Sequence, residues 1–471
     1  MTANWFATVV IFAWPAVSFA LYRTRPFSEA TLWTILGALL LLPSNVSVKL
    51  EMIPAFDKNT IPNLCVAVAC FALAQRQRVV RPHLGVAEIL AVAWIVGPVF
   101  TSVLNGDTLV YGPTILPGVG YYDGISALLG QLLLCLPFFV GRVALQRSAD
   151  TEAILRVLLI AGLLYSVLML FEIRMSPVLS SWVYDYFPSG FVSEMRYGGF
   201  RPVVFMKNGL AAAFFIMTAF LAAVAFWRLK TGIIRSFPPA GVSAYLAVVI
   251  ILCKSAGALI YAGCIGFFVR WSKPKTQVRI AVVIVTIGIF YPVLRMTNYF
   301  PTSALLETAM VFNRERAESL QVRFDQEQQL LAHASQRFLF GWGRYGRNRV
   351  YEENFGKDIS ITDGAWIQVL GQFGIIGFAA QFGLLALPVF RAMSAFRFVG
   401  SARDRVSLAV LALIVALNLI EQIPNSSMSS WNWLLAGALL GRAEYLKAVA
   451  SSPRKPVGAA GFGGQSLRSG E

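Results

Sequence analysis

Thirteen runs of mostly apolar residues follow one another between Trp5 and Leu446, and the connections between them carry most of the charge. A run of about 20 apolar residues spans a bilayer as a helix, because the hydrocarbon offers no partner for exposed backbone N–H and C=O groups. The composition agrees, since 57% of residues are hydrophobic and only 14% charged, too few to coat a soluble domain of this length. The sequence therefore predicts an all-α fold: a polytopic transmembrane helical bundle of about 12–13 spans with one large, partly helical exterior loop over 298–363. Residues 1–446 form one membrane domain. Residues 447–471, where Lys447, Arg454, Lys455 and Arg468 sit among Pro, Gly and Ser, form a flexible tail.

Alternate connections separate by charge. Arg23/Arg25, Arg76/Arg78/Arg81, Arg142/Arg147, Arg228/Lys230/Arg235, Arg270/Lys273/Lys275/Arg279 and Arg391/Arg397/Arg403/Arg405 fall on one side, which the positive-inside rule makes cytoplasmic. The tail joins them, and the N-terminus lies outside. The opening segment lacks a basic start and a small-residue cleavage site, so it reads as a first span. Four exterior loops remain, at 44–61, 105–124, 174–202 and 298–363.

The net charge of +16 is spread in short clusters, which the membrane orientation explains without nucleic acid. Cys65, Cys70, Cys135, Cys253 and Cys264 lie within apolar runs, and His83 and His333 are far apart, so neither a disulfide framework nor a metal site is predicted.

Polar residues with chemical reach gather outside. Within the long loop, Glu315–Leu331 reads as an amphipathic helix. Phe340-Gly341-Trp342-Gly343-Arg344-Tyr345-Gly346-Arg347 follows, where glycines permit close backbone approach to a ligand and arginines can fork onto phosphate oxygens. The preceding exterior loop offers Arg196, Gly198, Gly199 and Arg201 just ahead of a span that carries Lys207 and Asn208, a candidate diphosphate cradle at a helix start. Lys254-Ser255-Ala256-Gly257 is a tight exterior turn, whose lysine either serves an anion site or pairs with a loop carboxylate. Finally Thr362-Asp363-Gly364-Ala365-Trp366 leads into Gly371, Gly374 and Gly377. Thr362 or Asp363 suits an N-cap, the glycines suit close packing, and a carboxylate here also suits a general base for a sugar hydroxyl.

This arrangement of Arg-bearing exterior loops, a Lys-Ser-Ala-Gly turn, Gly341-Trp342-Gly343 and Gly374-Ile375-Ile376-Gly377 resembles the O-antigen ligase and Wzy-type polysaccharide polymerase superfamily over roughly Arg196 to Phe382. In the ligase branch a His and a polar neighbour stand at a fixed spacing before Gly-x-x-Gly. Here the spacing is kept, but Asp363 and Gly364 occupy those places.

The resemblance implies a GT-C-type membrane glycosyltransferase that uses a polyprenyl-diphosphate-linked oligosaccharide at the periplasmic face of a bacterial inner membrane, with no cofactor, metal or nucleotide sugar. On that reading Arg196, Arg201, Lys254, Arg344 and Arg347 bind diphosphate, Asp363 acts on the acceptor beside the catalytic arginines Arg201 and Arg344, and Trp342, Tyr345 and Trp366 stack on sugars or form an interfacial belt. Membrane lipid and other polysaccharide assembly and export proteins are the expected partners. Polymerisation of repeat units into exopolysaccharide or O-antigen is the leading expectation. Ligation to a lipid or protein acceptor is the near alternative, and transport of lipid-linked sugars the alternative of another class.

Overall fold

The computed structural model describes residues 4–49, 54–73, 85–187, 190–196, 198–232, 237–312 and 314–451. The chain opens with α1 (Trp5–Thr24), α2 (Phe27–Leu41) and α3 (Thr60–Leu73), then α4 (Val86–Val103), α5 (Tyr121–Ala144) and α6 (Ser148–Met175). A short α7 (Leu179–Tyr184) precedes α8 (Gly209–Leu229), α9 (Pro239–Leu252), α10 (Ala256–Trp271) and α11 (Pro274–Met296). The long loop contributes α12 (Thr302–Phe312) and α13 (Arg314–Ser335), and α14 (Ala365–Ala395), α15 (Ala402–Ile420) and α16 (Ser430–Ser451) follow.

Every predicted apolar run coincides with a helix, and among the described residues seven helices are long and apolar enough by length and composition to cross a membrane. Exposed Phe71, Ile89, Leu164 and Ile260 project outward from the bundle, an apolar surface that suits lipid. The long-loop helix extends the predicted Glu315–Leu331 to Arg314–Ser335, whereas α12 was not foreseen. Nor were three small hairpins, 47–57, 109–116 and 195–200, at the same end of the bundle. Of the tail, Lys447 to Ser451 continue α16; residues 452–471, together with Arg76, Arg78, Arg81 and Arg235, lie outside the described residues.

Two packing features fix the bundle. Helix α8, rich in Ala and Phe, is buried nearly all round among α6, α9, α10 and α15, as expected of a helix without a polar face. Helices α5 and α16 meet at glycine. A Cβ at Gly437 would lie 2.0 Å from Phe138 O, one at Gly441 2.2 Å from Arg142 O, and one at Gly141 2.4 Å from Leu434 O. These backbones touch because no side chain intervenes, the close approach that small residues four apart allow in a membrane.

Charges sort to the two ends. At one end Arg142 holds Glu444 with two hydrogen bonds of 2.8 Å and Glu88 with one of 2.6 Å, and Arg442 pairs with Asp404. At the other, here called the loop end, the 109–116 hairpin meets the long loop, where Thr114 Oγ1 donates to Gly356 O at 2.9 Å. Asn4 bonds the 183–184 backbone there, which puts the start of α1 at the loop end too.

Candidate functional site

The long loop is seated by backbone contacts between glycines. Trp342 N donates to Gly371 O at 2.8 Å, Gly343 N to Gln372 O at 2.9 Å, and Ile375 N to Phe338 O at 2.8 Å. Gly374, at φ 67° and ψ −167°, breaks α14 at the point of contact, and a Cβ there would sit 2.3 Å from the Leu339 carbonyl. Gly341, also at positive φ, would clash with Gln372 and Gly374 in the same way. The glycines of Gly341-Trp342-Gly343 thus admit the backbone of α14, where the sequence suggested a ligand.

Side chains complete this clasp. His333 stacks on Trp342 at 4.3 Å and donates from Nε2 to Arg347 O, while Trp342 Nε1 donates to His333 O at 2.8 Å. Burial pushes the His333 pKa down, which favours the neutral ring. Arg347 is enclosed, donating to Trp342 O, Asp107 O and Pro117 O. Asp107 also receives both terminal nitrogens of Arg337, and these hydrogen bonds hold its pKa below the usual carboxylate range.

A cavity of about 830 Å³ lies at the loop end, walled by the 193–201 hairpin, the starts of α8 and α10, one face of α13 and the α15–α16 connection. Arg196, Arg201, Lys254 and Arg323 line it, with Glu194 and Glu421. Each is placed by local structure. Glu172, at the end of α6, accepts from Val203 N and Val204 N at 2.7 Å each, and so holds Val204 in a left-handed conformation (φ 54°) that a β-branched residue rarely takes. That bend turns the chain from the hairpin into α8, whose first turn is capped by Asn208 and met by Glu194 through Gly209 N.

Arg201 pairs with buried Glu194 at 3.2 Å and donates to Ser193 O. Burial, with a smaller contribution from the positive charge of Arg196, lowers the Arg201 pKa. The Arg196 guanidinium has no carboxylate partner among the described residues, and the hydrogen bond it makes there is a long 3.4 Å contact to Met195 O. Lys254, itself at φ 52°, reaches Arg196 O at 3.1 Å and packs where a Cβ on Gly199 would be, so the Gly198-Gly199 turn makes room for the lysine.

Glu421 opens the connection after α15. Its carboxylate accepts from Asn425 Nδ2 at 2.6 Å and meets the Tyr261 hydroxyl, and burial raises its pKa to about 7. The same connection caps α14: Ala365 N donates to Gln422 O at 2.9 Å, and a Cβ on Gly364 would meet Ile423 O at 2.2 Å. Backbone carbonyls therefore cap α14 in place of the predicted Thr362 or Asp363 side chain. Asp363 instead pairs with Arg323 Nε at 3.2 Å and lines a smaller cavity of about 400 Å³ on the far side of that arginine.

Of the residues singled out in the sequence, the structure gathers Arg196, Arg201 and Lys254 around one cavity, with Asp363 one side chain behind it. Arg344 is elsewhere, against Asp123 O, Ser126 Oγ and its neighbour Tyr345. Arg347 is occupied within the clasp. Trp342 is 6% exposed and Trp366 fully buried, so neither offers a ring face to a sugar; Tyr345 is exposed beside Arg344. The sequence reading passed over Glu421 and Arg323. For Glu421 a signal existed, since it is the sole ionisable residue between Arg405 and Arg442.

Residues 241–382 match the family model described as O-antigen ligase, a segment that contains Lys254, Arg323, Asp363 and the glycine clasp. No curated protein gave a match. Over these residues the chain is similar to the O-antigen ligase family, and the seven long apolar helices among the described residues suit a multi-pass membrane protein.

Proposed function

We propose that this protein, similar over residues 241–382 to the O-antigen ligase family, polymerises polyprenyl-diphosphate-linked oligosaccharides, with the cationic cavity as the donor site. The observation that carries this reading is four cations, Arg196, Arg201, Lys254 and Arg323, around one cavity that also holds a buried carboxylate, Glu421. A departing diphosphate gathers negative charge in the transition state, and fixed guanidinium groups aimed at that charge supply the largest electrostatic stabilisation such a reaction needs. Arg201 is held in place by Glu194, while Arg196, lacking a carboxylate, is the group left to meet an incoming phosphate.

In the transfer step an acceptor hydroxyl oxygen attacks the anomeric carbon of the donor sugar and forms the new glycosidic bond. The bond from that carbon to the diphosphate oxygen breaks, its electron pair leaving with the diphosphate. The hydroxyl proton passes to the Glu421 carboxylate, whose raised pKa suits a base working near neutrality. Asp363 orients Arg323 through their ion pair. Trp342, Arg344 and Arg347 support the loop that carries α13, and no metal or nucleotide sugar takes part.

The positive-inside pattern supports a cavity on the outer face of the membrane, which on this reading is the periplasmic side of a bacterial inner membrane. Polymerisation is favoured over ligation because Asp363 stands where the ligase branch has histidine. The test is incubation of the protein in lipid with a polyprenyl-diphosphate-linked oligosaccharide, without nucleotide sugar or metal, and sizing of the glycans. A ladder of repeat multiples with release of polyprenyl diphosphate is expected. Transfer only to a separately supplied lipid or protein acceptor would move the assignment to ligase, and no transfer to any acceptor would overturn it.

A further inference from the structure

A second cavity of about 420 Å³ lies beside the cationic one, within the roughly 300–1,000 Å³ typical of small-molecule sites. The two share Phe214, and the α15–α16 connection runs along both: Glu421 and Asn425 line the first, Ser426 and Ser429 the second. Their electrostatics differ. Lys58 lines the second cavity, and its burial against Ser44 Oγ and Phe205 O pushes the lysine pKa down to about 7, which weakens the positive charge on this wall near neutrality. Lys207 also lines it, its ammonium donating to Ser426 O at 3.1 Å. A diphosphate has far less reason to enter here than next door.

The walls carry hydroxyls and amides, together with two buried donors that have no acceptor among the described residues. Asn418 is 4% exposed with Nδ2 unpartnered, and Trp431 is 4% exposed with Nε1 unpartnered; both side chains line this cavity. A buried donor without a partner costs about 1–3 kcal/mol, so two on one cavity wall point to an occupant that brings acceptors.

We propose that this cavity is the acceptor subsite, taking a neutral, hydroxyl-rich saccharide whose oxygens accept from Asn418 Nδ2 and Trp431 Nε1 and which presents one hydroxyl past Phe214 toward the donor's anomeric carbon. The proposal rests on the glycosyl-transfer reading and deepens it by separating donor from acceptor. The anion is held by arginines on one side of Phe214. The incoming sugar is held by uncharged groups on the other.

The test uses full-length protein in nanodiscs, the lipid-linked oligosaccharide as donor, and the lipid-free oligosaccharide released from the same donor by mild acid as acceptor. Trp431→Phe and Asn418→Leu each delete one donor while keeping an apolar group of similar shape, and they are made separately so that misfolding of one leaves the other informative. Each is expected to raise the KM for the acceptor at least tenfold while the KM for the donor holds, because a site left without its donor strands the sugar hydroxyl. Unchanged acceptor KM in both variants would overturn the proposal and leave the cavity to water. A rise in donor KM alone would overturn it too, reassigning the cavity to the donor. If the wild-type protein transfers to no acceptor, the glycosyl-transfer reading fails, and saturation-transfer NMR with the lipid-free oligosaccharide decides the cavity by itself: binding lost in the variants supports a saccharide subsite, and binding absent or unchanged overturns it.

Discussion

Replacing Glu421 by glutamine removes a charge and a proton acceptor with almost no change of shape. The amide oxygen can still accept from Asn425 Nδ2, which now bonds the carboxylate at 2.6 Å, and the Tyr261 hydroxyl keeps a polar neighbour, so the connection after α15 should hold its fold. A positioned general base contributes about 10²–10⁴-fold, which at about 1.4 kcal/mol per factor of ten is about 3–5 kcal/mol of transition-state stabilisation. Donor binding should not weaken, because one negative charge is lost from a cavity lined by four cations. The loss therefore belongs in kcat, with the donor KM unchanged or lower. The pH profile gives a second reading. Burial raises the Glu421 pKa to about 7, and only the ionised form accepts a proton, so kcat/KM in the wild type should rise as pH increases through about 7 and level off above it. Glu421→Gln should abolish that rise. Asp363→Asn, which loosens Arg323 but touches no reacting atom, should cost less and keep the profile. The assay is release of polyprenyl diphosphate from the lipid-linked donor between pH 5 and 9. A Glu421→Gln enzyme with wild-type kcat, or a wild-type profile flat across pH 7, would refute the assignment of Glu421 as base.

Arg196→Ala should lower transfer about 10²-fold or more in the same assay, since this guanidinium has no carboxylate to hold it and is free to meet phosphate, whereas Arg344→Ala, far from the cavity lining, should cost much less. Equal losses in the two would argue for a site nearer the Arg344 turn. Gly374→Ala should destabilise the protein, because its backbone conformation alone costs other residues about 1–3 kcal/mol and the added Cβ would press on the Leu339 carbonyl at 2.3 Å. Gly263→Ala, with open space around the new carbon, should leave thermal stability in detergent near that of the wild type, and equal melting temperatures for the two variants would contradict the clasp.

The apolar runs were legible because each must satisfy its backbone internally, so length and hydropathy alone decide that a helix forms and where it starts to be polar. Charge order along the chain likewise determined which ends lie together. The sequence also carried Gly437-Ala438-Leu439-Leu440-Gly441, whose spacing marks a close helix contact, but not which partner helix would fill it; that is α5. Arg196, Arg201 and Lys254 stood out as arginines and a lysine at turns, and their neighbourhood could be suspected from the loop order. What the sequence could not rank was which exterior cations face a common space. Arg344 and Arg347 have the same local chemistry as Arg196, yet Asp107 and Pro117 O, both distant in sequence, join the nearby Trp342 O in occupying Arg347. In the same way Asp363 and Glu421 are both carboxylates at helix ends. Only tertiary contact hands Asp363 to Arg323 and leaves Glu421 buried on the cavity wall. Hydrophobic patterning is a property of each segment and can be read one segment at a time. The protonation, pairing and reach of a polar side chain depend on groups brought from elsewhere in the chain, so those were decided by the packed structure.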